Sequence, residues 1–154
     1  MNGRRRKVLA GFVIVVCVAA FALAHCQIPC GIYGDDTRFA LMREHVTTIE
    51  KSMKEIDRLG KAKTPDNNQL IRWVANKESH SDELSEIVTF YFMAQRVKPV
   101  PKDMRVDYAK YVTEITLLHQ ILVQAMKAKQ TTNVEHCNNL RTLIDRFEKS
   151  YNTK

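Results

Sequence analysis

Residues 34–60 read GDDTRFALMREHVTTIEKSMKEIDRLG, and their pattern sets the fold class. Met42, Val46, Ile49, Met53 and Ile56 recur at intervals of three and four, which lines them along one face of an α-helix. Gly34-Asp35-Asp36-Thr37 reads as a turn leading into a helix cap, and Gly60 reads as a stop. Toward the C-terminus, Lys61 to Pro65 form a polar connection. A second helix can start at a cap on Asp66 or Asn67, with Leu70, Val74, Leu84, Val88, Tyr91 and Phe92 on its inner side. Lys77 and Ser81 interrupt that stripe, and Pro99 and Pro101 end the helix. The third helix is expected from about Lys102 to Ala128, burying Met104, Tyr108, Tyr111, Ile115, Leu118, Leu122 and Met126. The fourth is expected from near Thr131, burying Val134, Cys137, Leu140, Ile144, Phe147 and Tyr151. No alternating strand pattern, repeat or low-complexity tract intervenes. Four apolar stripes on helices joined by short links predict an all-α protein, an antiparallel four-helix bundle over residues 35–154.

Within the bundle the ionisable residues suggest little chemistry. His45, His80, His119 and His136 share no metal-site spacing and read as surface or core-edge histidines. Cys137 lies on an apolar face and reads as a small core residue. Neither a phosphate-binding glycine loop nor a nucleophile elbow is present. The formal charge of +7 is inflated by residues 1–24, which hold four basic residues and no acid; residues 25–154 carry 20 basic and 17 acidic residues, about +3. With no basic block or aromatic RNA-binding signature, this argues against nucleic-acid binding and for weak attraction of small anions.

The first 24 residues combine a basic head (Arg4, Arg5, Arg6, Lys7), an uncharged apolar stretch from Val8 and the ending Ala22-Leu23-Ala24. This is the pattern of a secretory signal peptide, with an uncleaved membrane anchor as the alternative. A cut after Ala24 would remove Cys17 and make His25 the amino terminus. Residues 25–34 would then begin HCQIPCGIY, with a chelating α-amine and imidazole on one residue and thiols at Cys26 and Cys30. The α-amine of His25, the amide nitrogen and thiolate of Cys26 and the thiolate of Cys30 can form a tetragonal metal site with an axial imidazole. Such a site suits nickel(II) or copper(II) better than zinc, and its donors favour one-electron chemistry. A Cys26–Cys30 disulfide explains the same spacing in an exported protein, and on spacing alone the two stay open.

The pattern H-C-x-x-P-C-G-x-Y at a processed terminus, followed by a four-helix bundle, resembles nickel-containing superoxide dismutase. The resemblance implies a bundle preceded by an N-terminal metal-binding hook, with one redox-active nickel ion (Ni2+/Ni3+) per subunit held by His25, Cys26 and Cys30. It implies that superoxide is converted to dioxygen and hydrogen peroxide, with Tyr33 over the open face of the metal and Tyr91 as the best match for a second catalytic tyrosine. Pro29 would fix the hook, with Lys77 or Arg72 behind it. Glu44 is the nearest, slightly displaced, carboxylate for the axial imidazole. A homohexamer, maturation by signal peptidase and a periplasmic or extracellular location follow as expectations, with membrane contact only through the leader. The alternatives are an exported or membrane-tethered bundle with a Cys26–Cys30 disulfide, and a non-catalytic metal carrier.

Overall fold

The computed structural model describes residues 35–153, so the leader and residues 25–34 lie outside the described part. Four helices follow in order: α1 (Asp35–Gly60), α2 (Asn67–Glu86), α3 (Arg105–Gln130) and α4 (Glu135–Asn152). A ten-residue π-helical segment, Ile87–Arg96, runs on from α2. Among the described residues there is no strand. Local chemistry sets the helix ends. Asp35 and Asp36 place negative charge in the first turn of α1, and Arg58 places positive charge in its last. Asp66 caps α2, its carboxylate accepting the Gln69 amide hydrogen at 3.0 Å.

A line of back-bonded hydroxyls leads into the π-segment. Along one line of α2, Ser81, Ser85 and Thr89 each donate a hydroxyl hydrogen to the carbonyl four residues back, all at 2.8 Å. Such back-bonding competes with the helical ladder and loosens it. The ladder then changes register, and the segment closes with the Val97 amide donating to the Phe92 carbonyl five residues back at 2.8 Å. Ile87, Val88, Tyr91 and Phe92 of the segment are buried in the core.

Side-chain pairs fix the topology. Between α1 and α2, His45 meets His80 and Ser52 meets Asn76. Between α1 and α4, Arg43 meets Asp145 and Glu148, Glu50 meets Arg141, and Met53 meets Cys137. Between α3 and α4, Lys110 reaches Thr153 and Gln124 meets His136. In each pair one number rises as the other falls, so the neighbours are antiparallel. With α2 also against α3, the four helices form an up-down-up-down bundle, as the sequence led us to expect.

The core differs from expectation in four respects. Phe39, absent from the expected stripe of α1, is fully buried and stacks against Phe92 and Phe147 at centroid distances of 5.0 and 5.6 Å. Leu70 is only partly buried and Val74 is exposed, so α2 joins the core from Lys77 onward. On α3 the buried face is Glu114, Leu117, Leu118, Ile121, Ala125 and Ala128, while Met104 and Met126 are exposed. Tyr111, Ile115 and Leu122 flank that face. Apolar residues occur nearly all round α3, so periodicity did not single out one face. Ala125 and Ala128 lie on the face that packs and are fully buried. On α4, Val134 lies before the helix and is exposed, while Cys137, Leu140, Ile144 and Phe147 are buried as expected.

Candidate functional site

The end of the bundle where α1 begins carries a polar cluster seated on aromatic rings. Asp35, the first residue of α1, is its hub. Its Oδ1 accepts the Tyr91 hydroxyl hydrogen, and its Oδ2 accepts from the Tyr151 hydroxyl and from Arg96 Nη2, each at 2.6 Å. Arg96 Nε also donates to the Tyr151 oxygen at 3.0 Å. Three elements therefore converge on one carboxylate: α1, the π-segment and α4. Beneath them Phe39, Phe92, Phe147 and Tyr151 form a continuous aromatic cluster, which fixes the tyrosine rings. The Arg38 guanidinium lies over the Tyr91 ring, 5.1 Å from its centroid.

The charges in this cluster hold one another in place. Burial opposes ionisation of Asp35, but the hydrogen bonds from Tyr151, Tyr91 and Arg96 outweigh it and hold the carboxyl below the ordinary range. Burial and the bond to Asp35 push Tyr151 up to about 12 and also raise Tyr91. Both phenols stay protonated at neutral pH and act as donors to the carboxylate.

Of the residues singled out in the sequence, His25, Cys26, Cys30 and Tyr33 lie outside the described residues. Tyr91 lies inside and sits in the Asp35 cluster, 4% exposed. Lys77 has a different role from the one expected: its Nζ donates to the carbonyls of Ala128 at 3.0 Å, Thr131 at 3.1 Å and Lys129, closing the C-terminus of α3. Arg72 and Glu44 are exposed. Asp35, Arg96 and Tyr151 were missed as site residues. Asp35 looked like turn chemistry, and the other two are far away in sequence. The histidines require a correction as well. His45 and His80, 35 positions apart, meet across α1 and α2 with Glu83 beside them. Spacing rules see one helix at a time and could not bring them together.

Among the described residues the free cysteine is Cys137. It is buried against Met53, its Sγ 3.7 Å from the Met53 Sδ, and burial pushes its thiol up to about 11. Among the described residues Cys137 is therefore a core thiol and not an exposed ligand.

The sequence profile of nickel-containing superoxide dismutase matches residues 20–154, nearly the whole chain and both cysteines of the stretch after the leader. The chain belongs to that family. A nickel-containing superoxide dismutase is an oxidoreductase, so its cofactor is nickel and its substrate is superoxide. Neither a curated protein nor a solved structure matches the chain. The Asp35 cluster is thus the polar end of a nickel-containing superoxide dismutase bundle, two positions after Tyr33 in the chain. Among the described residues no helix is long and apolar enough to cross a membrane.

Proposed function

We propose that this superoxide dismutase holds its nickel at a processed amino terminus, through His25, Cys26 and Cys30. The observation that carries this reading is the burial of Cys137, which leaves the cysteines before Asp35 as the source of thiolate. The donor set fits the metal: the thiolates of Cys26 and Cys30, the amide nitrogen of Cys26 and the amine and imidazole of His25 would hold it, a mixed nitrogen and sulfur set that suits nickel. When bound, nickel supplies a one-electron couple between its divalent and trivalent states. Overall, two superoxide ions and two protons give one dioxygen and one hydrogen peroxide. One superoxide is oxidised, and the other is reduced and takes both protons.

The described residues contribute position and field. Tyr91 is a positioning residue whose hydroxyl hydrogen goes to Asp35, which leaves its oxygen lone pairs to accept a hydrogen bond from water. With both phenols raised above their ordinary range, neither Tyr91 nor Tyr151 gives up a proton readily at neutral pH, which leaves water, Tyr33 or the amine and amide groups of the N-terminal stretch as the proton source. Arg38 and Arg96 offset the charges of Asp35 and Asp36 at this end of the bundle, and the charge of about +3 over residues 25–154 favours approach of an anion. Tyr33 would help to admit and orient superoxide at the bound metal. The leader is assigned to export and removal by signal peptidase, which places the mature enzyme in a periplasmic or extracellular compartment. A homohexamer is the proposed assembly; Ile71 and Val106, 68% and 83% exposed, are available for contacts between copies.

Mass spectrometry of the native protein is expected to find a chain starting at His25 with one nickel. An intact leader or a stable Cys26–Cys30 disulfide in active protein would overturn the site. Cys30→Ser is expected to abolish superoxide consumption while circular dichroism shows unchanged helix content. Full activity in that variant removes Cys30 from the ligand set. Nickel binding without turnover above the free ion would identify a metal carrier instead.

A further inference from the structure

Midway along α1 and α2 is a second group of potential ligands, which the Asp35 cluster does not include. His45 Nδ1 and His80 Nδ1 lie 2.9 Å apart, and Glu83 Oε2 is 3.5 Å from the first and 3.6 Å from the second. His45 lies ten residues beyond Asp35, about 15 Å along the helix. A hydrogen bond between the imidazoles accounts for one of these three approaches. The other two are longer than a hydrogen bond, so the carboxylate oxygen faces the same point as two ring nitrogens without being bonded to either.

The spacing is that of a coordination triangle. An ion bound tetrahedrally at about 2.0–2.1 Å by imidazole nitrogen and carboxylate oxygen holds its ligands about 3.3 Å apart. The three observed edges scatter around that length. An ion at bonding distance from all three atoms would sit just off their plane, with a fourth position left toward solvent. The supports have the same sense. Ser79 Oγ donates to Glu83 Oε1 at 2.9 Å, which turns Oε2 toward the histidines, as an outer partner does for a metal-binding carboxylate. The histidine side chains are 12% and 26% exposed and Glu83 is 46% exposed, so the ligands come from a firm interhelical seam and open on one side.

We infer that His45, His80 and Glu83 form a second metal site, for a zinc-class divalent cation bound by two neutral imidazoles and one carboxylate. The ion would clasp α1 to α2 and is independent of the N-terminal nickel. Two histidines and a glutamate with an open fourth position also make a donor set able to bind water or a small anion on zinc.

The test uses the full mature chain carrying C26S and C30S, so that thiolates do not compete. Zinc added to this protein is expected to bind at one ion per chain by elemental analysis and to raise Tm with zinc concentration. Cobalt(II) is expected to give the visible bands of a tetrahedral ion without thiolate charge transfer. His45→Gln with His80→Gln, and separately Glu83→Gln, should weaken zinc at least as much as loss of an outer partner does, about 10–100-fold. Glu83 is half exposed, so its variant keeps the fold and decides the matter if the double histidine variant does not. The same variants with Cys26 and Cys30 intact should keep one nickel and lose only the zinc. No zinc in the parent, or undiminished zinc in Glu83→Gln, overturns the site and leaves only a hydrogen bond between the two histidines.

Discussion

Asp35 shows how one residue changes meaning between sequence and structure. Three charged or polar donors from the π-segment and α4 keep it ionised, so Asp35→Asn removes charge-assisted bonds and is expected to cost about 2 kcal/mol at neutral pH. Because folding depresses this carboxyl, the stability it contributes is present above its ordinary pKa of 3.8 and is lost as pH falls through the lower folded value. Urea unfolding of wild type and Asp35→Asn should therefore differ at neutral pH and converge in acid; equal stability at both would deny the cluster its role. Glu114 is the opposite case. It is 6% exposed with Oε1 lacking a hydrogen-bond partner, and the nearest cation, Lys110, is 3.8 Å away. Burial raises its pKa, so the unfolded chain ionises first and stability declines as pH rises from the ordinary carboxylate value through the folded one. Glu114→Met is expected to raise stability at neutral pH by about 1–3 kcal/mol, read by the same unfolding measurement.

At the level of elements, α2 and its π-helical extension carry the most unusual chemistry. Lys77 was visible in the sequence as a break in an apolar stripe, and its purpose lies across the bundle, where its ammonium serves three carbonyls at the end of α3. Lys77→Met would leave those carbonyls without their donor. The expected result is a loss of about 1–3 kcal/mol and faster hydrogen exchange in the last turn of α3. Unchanged exchange there would mean that water replaces the lysine without cost. A line of Ser81, Ser85 and Thr89, each bonded to the carbonyl four residues back, leads into the π-segment. A Ser/Thr ladder at intervals of four is legible in a sequence, but Thr48 and Ser52 make the same bonds on α1, which stays α-helical, so the ladder does not by itself set the register. Tyr91 and Phe92 are both in the core, as the apolar stripe led us to expect.

At the scale of the molecule, an aromatic cluster drawn from α1, the π-segment and α4 ties the bundle to its polar end. Phe92 touches Phe39, Phe147, Tyr91 and Tyr151, with centroids 4.9–5.6 Å away. Phe92→Ala is expected to cost about 3–5 kcal/mol, because rings from three elements cannot all close on the space it leaves. Its effect on activity should exceed that of an equally destabilising change far from Asp35, such as Leu140→Ala, when both are assayed where each is folded. Equal activity would uncouple the aromatic cluster from the site.

Sequence alone determined that the chain is helical and forms four antiparallel helices, since stripes such as Met42, Val46, Ile49 and Met53 repeat over one or two turns and short links leave one economical packing. It also determined the family resemblance, because the nickel-binding pattern is local: His25, Cys26 and Cys30 lie within six consecutive residues. What only the tertiary structure decided are relations between residues far apart in the chain. The buried face of α3, through Glu114, Leu118, Ala125 and Ala128, was selected only when the helix packed against its neighbours. The partners of Asp35 came from 56, 61 and 116 positions away. His45 found His80 because two antiparallel helices put them at the same height. A periodic pattern reports which face of one helix is apolar, whereas a polar cluster or a metal site is a meeting of faces, and that is set only when the helices pack.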